Sequence, residues 1–104
     1  MANPSEIEAV VPRDLQDLVP VFLENRKKDL HSLTVAIAAG DFELVRRIGH
    51  RMKGSGRSYG FSAITALGMQ MEERGKARDR DGVIKLLAKY RHYLDNVKIK
   101  YEAG

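Results

Sequence analysis

Gly49-His50-Arg51-Met52-Lys53-Gly54-Ser55-Gly56-Arg57-Ser58-Tyr59-Gly60 is the stretch on which the reading of this chain turns. A glycine inside a helix costs about 1 kcal/mol relative to alanine, yet Gly49, Gly54 and Gly56 all precede the closing Gly60. Something other than helix stability favours them. Either the stretch is a glycine-rich phosphate-binding loop, or it is a helix whose glycines let another surface come close. A nucleotide-binding P-loop carries its Lys after the glycines, followed by Ser or Thr, where a strand meets a helix. Here Lys53 precedes Gly54-Ser55-Gly56 and no strand is read before it, which favours the helix.

On a helix, residues advance by about 100° each. With Val45 at the centre of the buried side, Ile48, Gly49, Met52, Gly56 and Tyr59 fall within about 60° of it, whereas His50 lies about 140° away and faces solvent. Gly54 and Arg57 follow His50 one and two turns on, Arg47 lies a turn before, and Lys53 sits on its flank. The stretch thus predicts an exposed imidazole in a ring of cations, beside a position without a side chain. A neutral imidazole nitrogen is a nucleophile that can form a covalent intermediate. Lys53, with Arg47 or Arg57, can screen the charge of a transferring phosphoryl group. Gly54 leaves room for another active site to reach the ring. The plain alternative is a solvated helix histidine with no chemical role, and the residues alone leave the two level.

Outward from this stretch the pattern is helical throughout. Pro occurs only at positions 4, 12 and 20, so helices can run on after Pro20. Val19, Phe22, Leu23, Leu30, Leu33 and Ile37 recur at helical spacing, with Pro20 suited to the first turn and Gly40 to the stop. Before them, Asp14 to Leu18 reads as a short helix ended by Pro20. Asp41 can cap the helix that carries His50, and Gly60 can end it. Ser62 is the expected cap of a third helix with Ile64, Leu67, Gly68, Met71 and Gly75 on its inner side. Asp79 or Asp81 would cap a fourth, buried along Val83, Ile84, Leu87, Tyr90, Leu94, Val97 and Tyr101. No segment is read as sustained period-two alternation. The expected class is all-α: an antiparallel four-helix bundle with a short N-terminal helix, residues 1–11 forming a leader and 12–104 the bundle domain.

Composition sets limits consistent with this. A chain of 104 residues buries only about two thirds of its unfolded surface, enough for one core and no separate catalytic domain. The absence of Cys excludes disulfides, thiolate nucleophiles and Cys-based metal sites. The longest apolar run, Val35-Ala36-Ile37-Ala38-Ala39, is far short of the roughly 20 residues that cross a bilayer. Glu6 and Glu8 stand where an export leader would be cationic, so a cytoplasmic protein is expected. The net charge of +4 tolerates an anionic partner without demanding nucleic acid.

His50-Arg51-Met52-Lys53-Gly54-Ser55-Gly56, then Tyr59-Gly60-Phe61, then an apolar helix reaching Met71-Glu72, resembles the signature of histidine-containing phosphotransfer (HPt) domains of two-component phosphorelays. The family pattern is H-x-L-K-G-S-S or a close variant, followed by L-G and a helix ending near L-E. The likeness runs from Leu15 to Leu94, with departures at Met52, Gly56 and Tyr59 that remove no reacting group. It implies that His50 is the phosphoacceptor, modified on its distal ring nitrogen, and that Lys53 neutralises the phosphoryl group. Gly54 would open access, Ser55 and Gly56 would permit close packing, and Glu72 would orient the ring. It further implies a carrier without autokinase activity, nucleotide, metal or other cofactor. Its partners would be response-regulator receiver domains or a hybrid sensor kinase, with the receiver's acidic pocket supplying magnesium. A monomer is expected.

Other features read more plainly. His31 and His92 lack the spacing of a helical metal pair and are expected at the surface. Met52 and Met71 read as core, with Met69 projecting outward as a possible apolar contact for a partner. Arg26-Lys27-Lys28-Asp29 reads as a solvated helix face, Glu72-Glu73 as helix surface, and Asp79 and Asp81 as caps. The rival functions are a helical docking module with an unused histidine, and a nucleic-acid-binding bundle using Arg46, Arg47, Arg51, Lys53 and Arg57.

Overall fold

Helix boundaries fall where the chain's own chemistry favours them. The computed structural model describes residues 7–102. In order these form strand β1 (Ile7–Val11), a 3-10 helix (Arg13–Leu18), helices α1 (Val19–Ala38), α2 (Phe42–Tyr59), α3 (Ser62–Lys76) and α4 (Arg80–Asn96), and strand β2 (Val97–Tyr101). Pro20 sits in the first turn of α1, where its missing N–H costs nothing. Gly40 takes φ 71° in the turn after α1, and Gly60 takes φ 80° at the end of α2, a backbone conformation in which a side chain would be strained. Asp41 accepts a hydrogen bond from the Leu44 amide at 3.1 Å, and Asp79 accepts one from the Gly82 amide at 2.9 Å. Both satisfy amides that a helix start leaves unpaired.

The third cap differs from expectation. Phe61 occupies the cap position of α3 with no side-chain hydrogen bond, and Ser62 is already helical. Packing fixes this start instead: Phe61 is fully buried and stacks on Phe22, with ring centroids 4.8 Å apart.

The chain is mostly helical, and its four helices are compatible with a bundle. α1 touches α2 and α4, and α3 touches the same two, around a core that includes Leu33, Val45, Ile48, Met52, Ile64, Met71, Val83 and Tyr90. On α4, Leu86 and Tyr93 join the buried side, while Ile84, read as core, is 45% exposed. The charge run of α1 also departs from the solvated face expected of it. Lys27 and Lys28 are exposed, but Arg26 and Asp29 are buried.

The closest approach is between α2 and α3, and it requires glycine. A Cβ on Gly49 would lie 2.5 Å from the Glu72 amide nitrogen, and one on Gly68 would lie 2.5 Å from that of Lys53. These distances are incompatible with any side chain, so the two backbones touch along this seam. Gly75 against Arg46 and Gly56 against Thr65 extend it, and the pairs run in opposite chain order along the two helices.

A small parallel sheet corrects the purely helical expectation. β1 pairs with β2 in the register Ile7↔Val97 to Val11↔Tyr101. The fourth helix therefore stops at Asn96, and Val97 and Tyr101 belong to a strand rather than to its buried stripe. Residues 7–11 fall in the segment read as leader, yet Ala9 and Val11 are buried in the core. The remaining leader positions, 1–6, and residues 103–104 lie outside the described residues. Among the described residues no helix is long and apolar enough to cross a membrane.

Candidate functional site

The glycine seam determines what stands beside His50. Because α2 and α3 meet backbone to backbone, Glu72 on α3 reaches α2 with its carboxylate while remaining buried. Its Oε2 lies 2.8 Å from His50 Nδ1, and its Oε1 accepts a hydrogen bond from Lys53 Nζ at 3.2 Å. One carboxylate thus bridges the imidazole and the ammonium. Glu73, its neighbour in sequence, is exposed and takes no part in this bridge.

Two opposing effects act on Glu72. Burial pushes its carboxyl pKa up, but hydrogen bonds from Lys53 and His50, with the Lys53 charge, outweigh that and hold it below the ordinary carboxylate value. At neutral pH the group is ionised and can only accept hydrogen bonds. His50 Nδ1 must therefore carry the proton that it donates to Glu72, leaving Nε2 of the neutral ring with a free electron pair. The His50 side chain is 65% exposed, and an added Cβ at Gly54, one turn on, would meet nothing within 4 Å. A nucleophilic nitrogen with an open approach is what this arrangement supplies.

The expected ring of cations divides into separate populations. Lys53 is committed to Glu72. Arg51 donates to Asp29 at 2.7 Å, and Asp29 also pairs with Arg26 at 3.0 Å, joining α2 to α1. Arg46 is held by Glu43 on its own helix, an exposed pair that raises the arginine's pKa and lowers the glutamate's through their hydrogen bonds. Arg47 and Arg57 are exposed and enter no ion pair among the described residues.

Sequence reasoning missed Arg26 and Asp29 although a signal existed. Both lie within about 40° of Phe22 and Leu33 on the α1 wheel, so periodicity places them on the buried stripe. Tyr90 packs close to them with its hydroxyl buried and unpartnered, and burial pushes that phenol far above its ordinary pKa. The remaining candidates stay apart from the site. His31 is exposed on α1, and His92 contacts Asn96 on α4. Met52 and Met71 are core, whereas Met69 is 47% exposed. Among the described residues no cluster of His, Asp and Glu could hold a metal ion.

Comparison with curated proteins finds no match, and neither does comparison with solved structures. The Hpt domain family model matches residues 17–99, spanning all four helices and the first part of β2. With most of its length matched, this chain belongs to the Hpt domain family.

Proposed function

We propose that this chain is a phosphorelay carrier that accepts a phosphoryl group on His50 Nε2 from one receiver-domain aspartate and donates it to another. The observation that carries the reading is the His50–Glu72 hydrogen bond, which ties up Nδ1 and turns the other nitrogen of an exposed ring outward. Family membership supports it, since Hpt domains take part in histidine phosphotransfer in phosphorelays and are not autokinases. The scaffold is an antiparallel bundle on this reading, supported by the opposite order of contacts along α2 and α3.

In the forward step the Nε2 electron pair attacks the phosphorus of an aspartyl phosphate on the partner. The phosphorus–oxygen bond to that aspartate breaks, and its electron pair leaves on the aspartyl carboxylate. The Nδ1 proton stays with the ring, whose new positive charge is met by the Glu72 carboxylate. Lys53 swings from Glu72 to a phosphoryl oxygen, and Gly54 leaves the path to the ring open. Return of the group to a second aspartate reverses each step. Magnesium and the acidic pocket belong to the receiver domain, and this chain holds no cofactor of its own. It acts as a monomer in the cytoplasm.

Incubation with a phosphorylated receiver domain tests the proposal. Wild type is expected to take up acid-labile, base-stable label, and His50→Gln to take up none. Equal labelling of both, or of neither, overturns it. Binding without transfer would favour a docking module, and salt-sensitive retention on DNA would favour the nucleic-acid reading.

A further inference from the structure

Between Glu43 and Glu72 the chain contains no Asp or Glu, while it contains Arg46, Arg47, Arg51, Lys53 and Arg57. Three of these five cations are already paired with carboxylates of the same chain: Arg46 with Glu43, Arg51 with Asp29 and Lys53 with Glu72. A cation held by a carboxylate presents little net charge to an approaching molecule. Arg47 and Arg57 are the two left, and their placement is not scattered. Arg57 lies within about 20° of His50 around the axis of α2 and about 10 Å further along it. Arg47 lies about 60° to one side and about 4.5 Å back. His50 and Gly54 stand between them, and Gly54 adds no bulk to the stripe.

We propose that Arg47 and Arg57 form a two-point electrostatic clamp that docks the acidic rim of a receiver domain astride His50. This rests on the phosphocarrier reading above. The occupant follows from charge: an exposed stripe bearing two unpaired guanidinium groups, with no acidic residue on its own helix beyond Glu43, complements a carboxylate-rich surface. The division of labour is then explicit. Lys53, half-buried and paired with Glu72, serves the phosphoryl group, while the two arginines serve the encounter and choose which receivers approach. Met69, exposed one turn before Glu72 on α3, offers the same partner an apolar contact.

The test compares wild type, R47E/R57E and Lys89→Glu, the last a charge reversal at an exposed position on α4. Each is labelled from two donors: phosphoramidate, which needs no docking, and receiver domains phosphorylated with acetyl phosphate. R47E/R57E is expected to lose about tenfold in kcat/KM with receivers at low salt and to show a flatter salt dependence. Its labelling by phosphoramidate should stay within about twofold of wild type, as should Lys89→Glu with both donors. Unchanged kcat/KM and salt slope in R47E/R57E overturn the clamp, and so does a loss of about threefold or more in Lys89→Glu, whose charge change is half as large, which would mark net charge alone. Wild type labelled by phosphoramidate but by no receiver overturns the clamp and leaves His50 reactivity standing. Wild type labelled by neither donor overturns the carrier reading and the clamp together.

Discussion

Glu72 is a single buried residue on which two groups depend, because its carboxylate serves His50 and Lys53 at once. Its depressed pKa makes a statement about acid stability. The folded state favours the ionised form, so its contribution is fully present above the ordinary value of 4.5 and is lost as pH falls through the lower native value. Glu72→Gln lacks this term. Urea unfolding between pH 3 and 7 should show wild type losing stability more steeply than Glu72→Gln on the acid side, with the gap between them closing as pH falls. Parallel curves at every pH would mean that folding does not lower the Glu72 pKa. The helical wheel made His50, Lys53 and Gly54 legible as one exposed group. It did not make the Lys53–Glu72 pairing legible, because that depends on how closely α3 approaches α2, and a wheel carries no interhelical distance.

Elements set that distance, and here the seam of glycines sets it. The six-residue span from Gly49 to Gly54 contains two glycines with opposite duties. Gly49 abuts the α3 backbone, while Gly54 faces open space. Gly49→Ala should destabilise by about 1–3 kcal/mol, since its methyl group must push the helices apart. Gly54→Ala should stabilise by up to about 1 kcal/mol, since it removes only the entropy cost of an exposed helical glycine. Chemical denaturation of the two variants checks the difference in sign, and two changes of the same sign would contradict the seam. Sequence reading anticipated that these glycines served close approach. It could not say which neighbour each one met. The strands were missed for a related reason: Val97 and Tyr101 fit the i, i+4 spacing of a helix continuing from Leu94, and equally fit the alternation of Val97, Ile99 and Tyr101 along one side of a strand. Local pattern cannot separate these readings. Pairing with residues 7–11 does, and that pairing is visible only once the bundle has brought the two segments together.

At the scale of the whole molecule, helices joined by short turns bring near neighbours together, whereas the parallel ribbon pairs residue 7 with residue 97. Folding kinetics should register the difference. A contact that closes so long a loop carries a large entropic cost until the intervening helices are in place. The ribbon is then a late event, absent from the transition state, and acts as a brake on unfolding rather than as a nucleus for folding. Val11→Ala, which trims a fully buried side chain of β1, should lose about 2 kcal/mol of stability. Nearly all of that loss should appear as unfolding about thirtyfold faster, with the refolding rate unchanged. Stopped-flow measurements across a urea series would show it, and a slowed refolding arm would place the ribbon early instead. The two strands thus govern how long the His50 site persists once formed, and have no part in how quickly it forms.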